Sequence, residues 1–244
     1  MIYLNEINVP TFESWKQGFV NSNRHAEFVD LCNKWAMRFK SITRLNPNAK
    51  SNLRDRFILN VDGLHGAVGV GDNMHSHNLY TIFWYEWIIN QINSDDLVLD
   101  IGCGNHMFKS FYHNHNIIGA DKGDFKCDIQ AHLRDLDEYK GRLKTAFCFN
   151  SIHHTEDDGL RSNLEYLSSL LQPLCLAVVT VNQNQINIRR KKYEELKKNS
   201  VDHIYNIISK SEIYDLVYFE SKTEYCRVKP EIVGDVHMVI RSKH

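Results

Sequence analysis

The sequence predicts a doubly wound α/β fold: a mostly parallel sheet, a C-terminal antiparallel hairpin and a helical N-terminal extension. Three observations predict it. Residues 97–105 run from an apolar strand through an acid into a glycine-rich turn that opens a helix. From residue 96 onward strand and helix patterns alternate, as in parallel sheets with crossover helices. The last two predicted strands, 214–226 and 234–241, have no helix between them, which indicates an antiparallel pair.

Length and composition indicate one globular domain with a sizeable core, or such a domain with a small appendage. The chain has 244 residues, 43% of them hydrophobic, and a formal net charge of −1. This near-neutral balance argues against nucleic acid or an anionic membrane as the main partner. Six scattered cysteines without a Cys-x-x-Cys pair indicate reduced thiols. With no signal-peptide pattern and no apolar run long enough to span a membrane, we expect a soluble, cytoplasmic protein.

The N-terminal third differs in character from the rest. Apolar residues at helical spacing predict a helix over 24–42, and a shorter amphipathic piece follows at 51–59. The glycine-rich segment 63–72 is predicted to be an irregular loop. We interpret residues 1–78 as a helical cap and loop that precede a larger domain, residues 79–244, which begins with an apolar helix.

The larger domain alternates apolar strands with amphipathic helices. Its strands are near-continuous apolar runs, as expected of parallel strands that are covered on both faces. The leucines of one helix step by four, three and four residues, from Leu160 to Leu171. Before the terminal pair, the predicted elements are strands 97–101, 117–121, 125–127, 145–150 and 174–181, and helices 105–113, 158–171, 185–198 and 201–210.

The glycine turn narrows the choice of nucleotide. A dinucleotide site requires a third glycine, which lets the helix pack closely on the strand, but after Gly102 and Gly104 that place is occupied by Met107. The Gly-Lys-Ser/Thr of a phosphate-binding P-loop is also missing from the sequence. The turn therefore suits a ligand without a phosphate chain.

Acidic residues follow the neighbouring strands. Asp121 ends the second strand, where a carboxylate is placed to accept hydrogen bonds from both hydroxyls of a ribose. Asp128 stands where a third strand is expected to end. There its carboxylate can accept a hydrogen bond from the amino group of an adenine, while Ile129 packs on the adenine ring. The fourth strand ends in Asn150, and a pair of histidines begins three residues later.

Taken in order, these segments resemble the class I S-adenosylmethionine-dependent methyltransferases over residues 79–244. The resemblance is carried by Val98-Leu99-Asp100-Ile101-Gly102-Cys103-Gly104 and by Phe149-Asn150-Ser151-Ile152-His153-His154. It implies a seven-stranded Rossmann-like sheet, S-adenosyl-L-methionine as cofactor, and an enzyme that transfers a methyl group.

The resemblance also implies roles for single residues. Asp121 would hold the ribose, and Asn150 would lie beneath the sulfonium. Three departures mark an atypical branch: His106 where glycine is common, Lys122 where an apolar residue often covers the adenine, and Leu174 within the usual Pro-Gly-Gly. The implied cofactor-binding residues are Asp100, Gly102, Cys103 and Gly104 in the first turn, Asp121 at the ribose, Lys122 directly after it, Asp128 and Ile129 at the adenine, and Asn150.

His153 and His154 are the candidates for catalysis. Methyl transfer from a sulfonium is an in-line displacement, but a hydroxyl acceptor must also lose a proton, and a histidine suits that task near neutral pH. Alternate side chains leaving a strand point opposite ways, so one histidine is expected to face the pocket and the other to pack into the fold. A packing role for both is the alternative. The expected acceptor is a hydroxyl of a small molecule or a carbohydrate.

Two other functions stay open. The basic stretch 189–198 would serve a nucleic-acid methyltransferase, although interspersed glutamates fit a solvated helix face equally well. A cofactor-binding module without turnover would keep the same motifs. His75, His77 and Asp72 have a ligand-like spacing, but we expect no functional metal.

Overall fold

The computed structural model describes residues 2–21, 57–60, 65–68, 83–103, 109, 112–123, 127–149, 151–152, 159–182, 201–222 and 235–244. The chain divides into two compact units, one of Met1–Asn8 with Ile92–His244 and one of Val9–Gln91. The predicted boundary between residues 78 and 79 lies outside the described residues and stays a prediction.

From β7 to β9 the described strands and helices alternate as predicted, whereas most of predicted helix 105–113 and all of predicted helix 185–198 lie outside the described residues. Two short 3-10 turns, Leu133–Asp135 and Asp137–Tyr139, separate β6 from β7. In chain order the elements are β1 (Tyr3–Asn5), α1 (Phe12–Asn21), β2 (Phe57–Asn60), β3 (His65–Val68), α2 (83–89), β4 (Val98–Ile101), β5 (Ile117–Asp121), β6 (Ile129–Gln130), β7 (Leu143–Phe149), α3 (Gly159–Leu170), β8 (Leu171–Asn182), α4 (Val201–Ile208), β9 (Tyr214–Lys222) and β10 (Asp235–Ser242).

One eight-stranded sheet forms the larger unit, in the order β1-β9-β10-β8-β7-β4-β5-β6. The pairs β7–β8, β4–β7, β4–β5 and β5–β6 are parallel, and β10 is antiparallel to both β8 and β9. This confirms a mostly parallel sheet with a C-terminal antiparallel hairpin. The strand order reverses at β4, and ligands of such sheets bind at the carboxyl ends of the strands beside that reversal.

The sheet has one strand more than the seven predicted. The additional strand, β1, pairs antiparallel with β9 at the edge, so the first residues of the chain belong to the sheet. Its three residues, Tyr3–Asn5, are too few to show an alternating pattern, and the pairing partner lies at the other end of the chain. The prediction of a helical N-terminal extension is therefore wrong for these residues.

The third parallel strand is also displaced from its predicted place. It comprises Ile129–Gln130 and pairs with the end of β5, Ala120 with Ile129 and Asp121 with Gln130. Residues 125–127, where the strand was predicted, precede it. A strand of two residues at a sheet edge has no periodicity to read, which explains the misplacement.

Apolar side chains from both faces of the sheet form the core of the larger unit. On β7 and β8, Phe147 and Val178 have no exposed surface, as predicted for central strands. The leucine stripe of α3 is buried at Leu160, Leu164 and Leu167, which confirms the predicted helix. No helix in the described part of the chain is long and apolar enough to cross a membrane.

The smaller unit contains α1, α2 and the hairpin of β2 and β3. The aromatic rings of Phe12 and Trp15 on α1 pack edge-on against Phe83 on α2, at centroid distances of 5.9 and 5.5 Å. β2 and β3 are antiparallel, with Phe57 opposite Val68. Part of the segment predicted to be an amphipathic piece and a loop therefore forms a hairpin. The predicted helix 24–42 lies outside the described residues.

Leu174 interrupts β8 with an unusual backbone conformation. Thr145 on β7 pairs with Leu176, whereas Leu143 pairs with Leu171, so residues 172–175 bulge opposite Lys144 alone. Within this bulge Leu174 has φ of 62° and a side chain that is 71% exposed. The left-handed conformation favours glycine. The structure therefore gives a reason for glycine at position 174 and none for the leucine that the sequence has there.

Leu174→Gly is expected to raise the free energy of unfolding by about 0.5–1 kcal/mol. Relief of the left-handed strain, about 1–2 kcal/mol, exceeds the greater backbone entropy that glycine loses on folding. Urea denaturation measures the difference. Leu174→Ala is the control, because alanine keeps the Cβ and the strain; an equal gain with alanine would place the cause in the exposed leucine side chain instead.

Candidate functional site

A cleft of about 600 Å³ opens at the carboxyl ends of β4, β5, β6 and β7. This is the edge at which the strand order reverses, and the volume is typical of small-molecule sites. Its walls come from the strand ends, from the turn after β6 and from the first half of α3. They comprise Ile101, Gly102, Ala120, Asp121, Lys122, Ala131, His132, Leu133, Arg134, Leu136, Phe149, Ser151, Ile152, Gly159, Ser162 and Asn163.

Gly102 begins the turn after β4 and joins three strand ends. Its φ is 74°, and its N–H donates to the carbonyl of Ala120 on β5 at 2.7 Å. Ser151, just beyond β7, lies so close that a Cβ on Gly102 would overlap its Cβ and Oγ. The Ser151 hydroxyl donates to the carbonyl of Ile101 at 2.6 Å. Both the backbone conformation and this close approach therefore require glycine.

Asp121 is the acid of the cleft wall. It ends β5, is half-buried, and its Oδ1 accepts a hydrogen bond from the N–H of Gly123 at 2.7 Å. This bond turns the chain away from the strand and fixes the carboxylate at the strand end. Lys122 follows on the same wall and is exposed. Both positions agree with the edge predicted for the ribose, although contact with a ribose stays a prediction.

Asp100 is buried under this wall. It is 4% exposed, and among the described residues it is not part of the cleft lining. Burial, with a smaller contribution from the negative charge of Asp121, raises its pKa from 3.8 to about 7. Cys103, in the same turn, is also buried.

The raised pKa of Asp100 makes stability depend on pH. Between about pH 4 and 7 the folded protein without cofactor keeps a proton on Asp100 that the unfolded chain has released, so the free energy of unfolding falls as pH rises through this window. Asp100→Asn removes the dependence. It is expected to raise the free energy of unfolding by roughly 1–3 kcal/mol at pH 8, and by little at pH 4.

Urea denaturation at several pH values measures this effect, with Asp95→Asn as the control because Asp95 is exposed and lies outside the cleft. A difference between Asp100→Asn and the unchanged protein that stays constant from pH 4 to 8 would contradict the ionisation of a buried acid.

Asp128 was predicted to end the third strand. In the structure it precedes that strand, β6, instead. Its carboxylate accepts hydrogen bonds from Lys109 Nζ at 2.7 Å and from the N–H of Gly119 at 2.9 Å. These bonds fix Asp128 at the level of Gly119, two residues before the end of β5. Among the described residues, neither Asp128 nor Ile129 lines the cleft. Their contact with an adenine stays a prediction.

Several predicted site residues lie outside the described residues: Gly104, Asn150, His153 and His154. The same is true of His75, His77 and the basic stretch 189–198. Of the six cysteines, Cys103, Cys127, Cys148 and Cys175 are described, and all four are free thiols.

Sequence reasoning missed the wall formed by the turn after β6 and by α3. His132, Arg134, Ser162 and Asn163 line the cleft. The leucine stripe of α3 indicates part of this wall, since it leaves Ser162 opposite the buried leucines and Asn163 at the border of the stripe. No local sequence pattern indicates that these residues of α3 meet the turn after β6.

Solved structures share this fold. The [4+2]-cyclase SpnF is 10% identical over 72% of this chain and 84% of its own, with a TM-score of 0.50. This chain therefore shares the fold of that cyclase. A methyltransferase from Methanosarcina mazei is 16% identical over 64% of this chain and 97% of its own, with a TM-score of 0.48.

The N1-methyltransferase of 1,6-didemethyltoxoflavin from Burkholderia thailandensis is 14% identical over 66% of this chain and 76% of its own, with a TM-score of 0.43. No protein-family model and no curated protein sequence matches the chain significantly. At these identities the likeness concerns the fold alone, and function has to be argued from the site.

Proposed function

We propose that this chain is an S-adenosyl-L-methionine-dependent methyltransferase that acts on a hydroxyl of a small molecule or carbohydrate. The observation that carries the proposal is the position of Asp121. A carboxylate ends the strand next to the glycine turn and lines a cleft at the reversal of strand order. In a fold of this kind that position suits an acceptor for two ribose hydroxyls.

The cleft fits the proposed cofactor in shape and polarity. Leu133, Leu136 and Ile152 give it apolar surface on which an adenine ring can pack, and Asp121 gives it an acceptor for hydroxyls. Gly102 brings the backbone of the first turn to the same cleft without a side chain. The absence of a P-loop sequence agrees with a ligand that has no phosphate chain.

The bound cofactor would supply a methyl group on a positively charged sulfur. The chain's own contribution is to hold the acceptor oxygen in line with that methyl group and to exclude water. We propose His153 or His154 as the base that takes the hydroxyl proton, because both follow the carboxyl end of β7 within five residues in the sequence. Asp100, Cys103, Gly104, Lys122, Asp128, Ile129 and Asn150 complete the proposed cofactor site.

Binding of S-adenosylhomocysteine, the demethylated cofactor, tests the proposal. At a hundredfold excess over its dissociation constant it is expected to raise the free energy of unfolding by about 2.7 kcal/mol. Calorimetry on the same sample compares it with NAD and ATP, which are expected to give no heat of binding. Binding of NAD or ATP without binding of S-adenosylhomocysteine would overturn the cofactor assignment.

Methyl transfer needs a separate test, because a [4+2]-cyclase also has this fold. Incubation with S-adenosyl-L-methionine and a panel of hydroxyl compounds is expected to release S-adenosylhomocysteine with one of them. Replacement of the histidines one at a time, His153→Ala and His154→Ala, is expected to reduce turnover in one variant only. Tight cofactor binding without turnover on any hydroxyl, amine or RNA acceptor would instead indicate a binding module.

A further inference from the structure

Arg134 lies in the cleft, on the turn after β6. No carboxylate among the described residues neutralises its positive charge. Arg134 lines the cleft and is exposed. None of its contacts is a carboxylate within the described part of the chain. The nearby acid, Asp137, is engaged instead by Lys140 at 2.8 Å and by the hydroxyl of Tyr166 at 2.6 Å. A full positive charge therefore faces the cleft.

Two neutral side chains of α3 hold this guanidinium in place. Nη2 donates to Ser162 Oγ at 2.6 Å and to Asn163 Oδ1 at 3.1 Å, and Nε donates to the same Oδ1 at 3.3 Å. The guanidinium carbon also lies 5.0 Å from the centre of the Tyr166 ring, a cation–π distance. The side chain is thus fixed before any ligand arrives, which lowers the entropic cost of binding.

These bonds also decide which groups are left to face a ligand. Arg134 occupies the acceptor atoms Ser162 Oγ and Asn163 Oδ1. The groups that remain are hydrogen-bond donors: Nη1 of Arg134, Nδ2 of Asn163 and the hydroxyl proton of Ser162. A cluster in which donors outnumber the one remaining acceptor lone pair, on Ser162 Oγ, is complementary to an oxyanion when it surrounds a positive charge, and a guanidinium matches carboxylate or phosphate oxygens in geometry.

We propose that Arg134, Ser162 and Asn163 form a binding site for an anionic group, carboxylate or phosphate, of the methyl acceptor. This inference rests on the proposed function for the identity of the ligand as acceptor. Asp121 gives the cleft an acidic side that suits hydroxyls and the positively charged cofactor, and Arg134 gives it a basic side. Acceptors that carry an oxyanion besides the reacting hydroxyl are therefore preferred over their neutral analogues.

The test titrates the full chain with inorganic phosphate and, separately, with benzoate, in the presence of saturating S-adenosylhomocysteine and at constant ionic strength set with chloride. We expect at least one of the two anions to bind. Arg134→Gln is expected to weaken that binding about tenfold to a hundredfold, the usual range for a hydrogen bond to a charged group. The anion that binds with the higher affinity shows whether the methyl acceptor carries a phosphate or a carboxylate.

Two further variants make the result specific. Asn163→Asp places a carboxylate against Arg134 and is expected to abolish anion binding without unfolding the chain. Arg142→Gln is the matched control. Arg142 lies 5.9 Å from the centre of the Tyr139 ring and donates to a backbone carbonyl, but it is not among the described residues of the cleft wall. Its replacement is expected to leave anion binding unchanged.

Titration with S-adenosylhomocysteine separates this inference from the proposed function. Equal anion affinities in Arg134→Gln and the unchanged protein, or no binding of either anion, would overturn the anion site while cofactor binding persists. Weaker S-adenosylhomocysteine binding in Arg134→Gln would also overturn it, because Arg134 would then contact the cofactor. If S-adenosylhomocysteine fails to bind at all, the proposed function fails, and anion titration without it still tests the donor cluster.

Discussion

Asp121→Ala is expected to weaken the binding of S-adenosylhomocysteine at least a hundredfold. The carboxylate would accept hydrogen bonds from two ribose hydroxyls, and each hydrogen bond to a charged group contributes about 1.5–3 kcal/mol. Loss of both corresponds to about 3 kcal/mol or more, that is, at least two orders of magnitude in the dissociation constant. Isothermal titration calorimetry measures the constant, and circular dichroism verifies that the variant is folded.

Asp121→Asn removes the negative charge but keeps an oxygen that can accept the hydrogen bond from Gly123. It therefore separates the effect of the charge on binding from the effect of losing that hydrogen bond. Its Oδ1 can still accept from the N–H of Gly123, as the carboxylate does at 2.7 Å, but its Nδ2 cannot accept from a hydroxyl. An intermediate affinity is therefore expected. Asp215→Ala is the control, since Asp215 pairs with Arg241 at 3.4 Å and is not among the described cleft residues. Unchanged affinity in Asp121→Ala would refute the ribose assignment.

The sheet is largely predictable because its central strands are apolar on both faces. The predicted strand 117–121 coincides with β5 at both ends, the prediction for β4 begins one residue early, and the prediction for β7 begins two residues late and ends one residue late. Edge strands behave differently. β1 and β6 have only three and two residues, and the pairing of Tyr3 with Glu220 joins distant parts of the chain. No local pattern encodes such a contact.

The cleft was predictable where a functional residue stands at a strand end. Gly102 and Asp121 were found because the order of strand, glycine turn, strand and acid fixes their place in a doubly wound sheet. Asp128 was misplaced because β6 begins only after it. The donor cluster was missed for another reason: Arg134 meets Ser162 and Asn163 across sequence separations of 28 and 29 residues. That contact is created by the packing of α3 on the turn after β6.

Gly102→Ala is expected to lower the free energy of unfolding more than the other glycine-to-alanine substitution considered, Gly141→Ala. It is expected to lower the free energy of unfolding by about 2–5 kcal/mol, the sum of about 1–2 kcal/mol for a left-handed φ of 74° and about 1–3 kcal/mol for overlap with Ser151. Ser151 cannot yield freely, because its hydroxyl is bound to the carbonyl of Ile101 at 2.6 Å. Urea denaturation measures the loss.

Gly141→Ala isolates the backbone contribution. Gly141 has φ of 65°, close to that of Gly102, but a Cβ there meets no atom within 4 Å. It is expected to lower the free energy of unfolding by only about 1–2 kcal/mol. The difference between the two alanine variants then measures how rigidly Ser151 holds the ends of β4 and β7 together. Equal losses would show that Ser151 moves aside, and the close approach of β7 would not be what restricts position 102 to glycine.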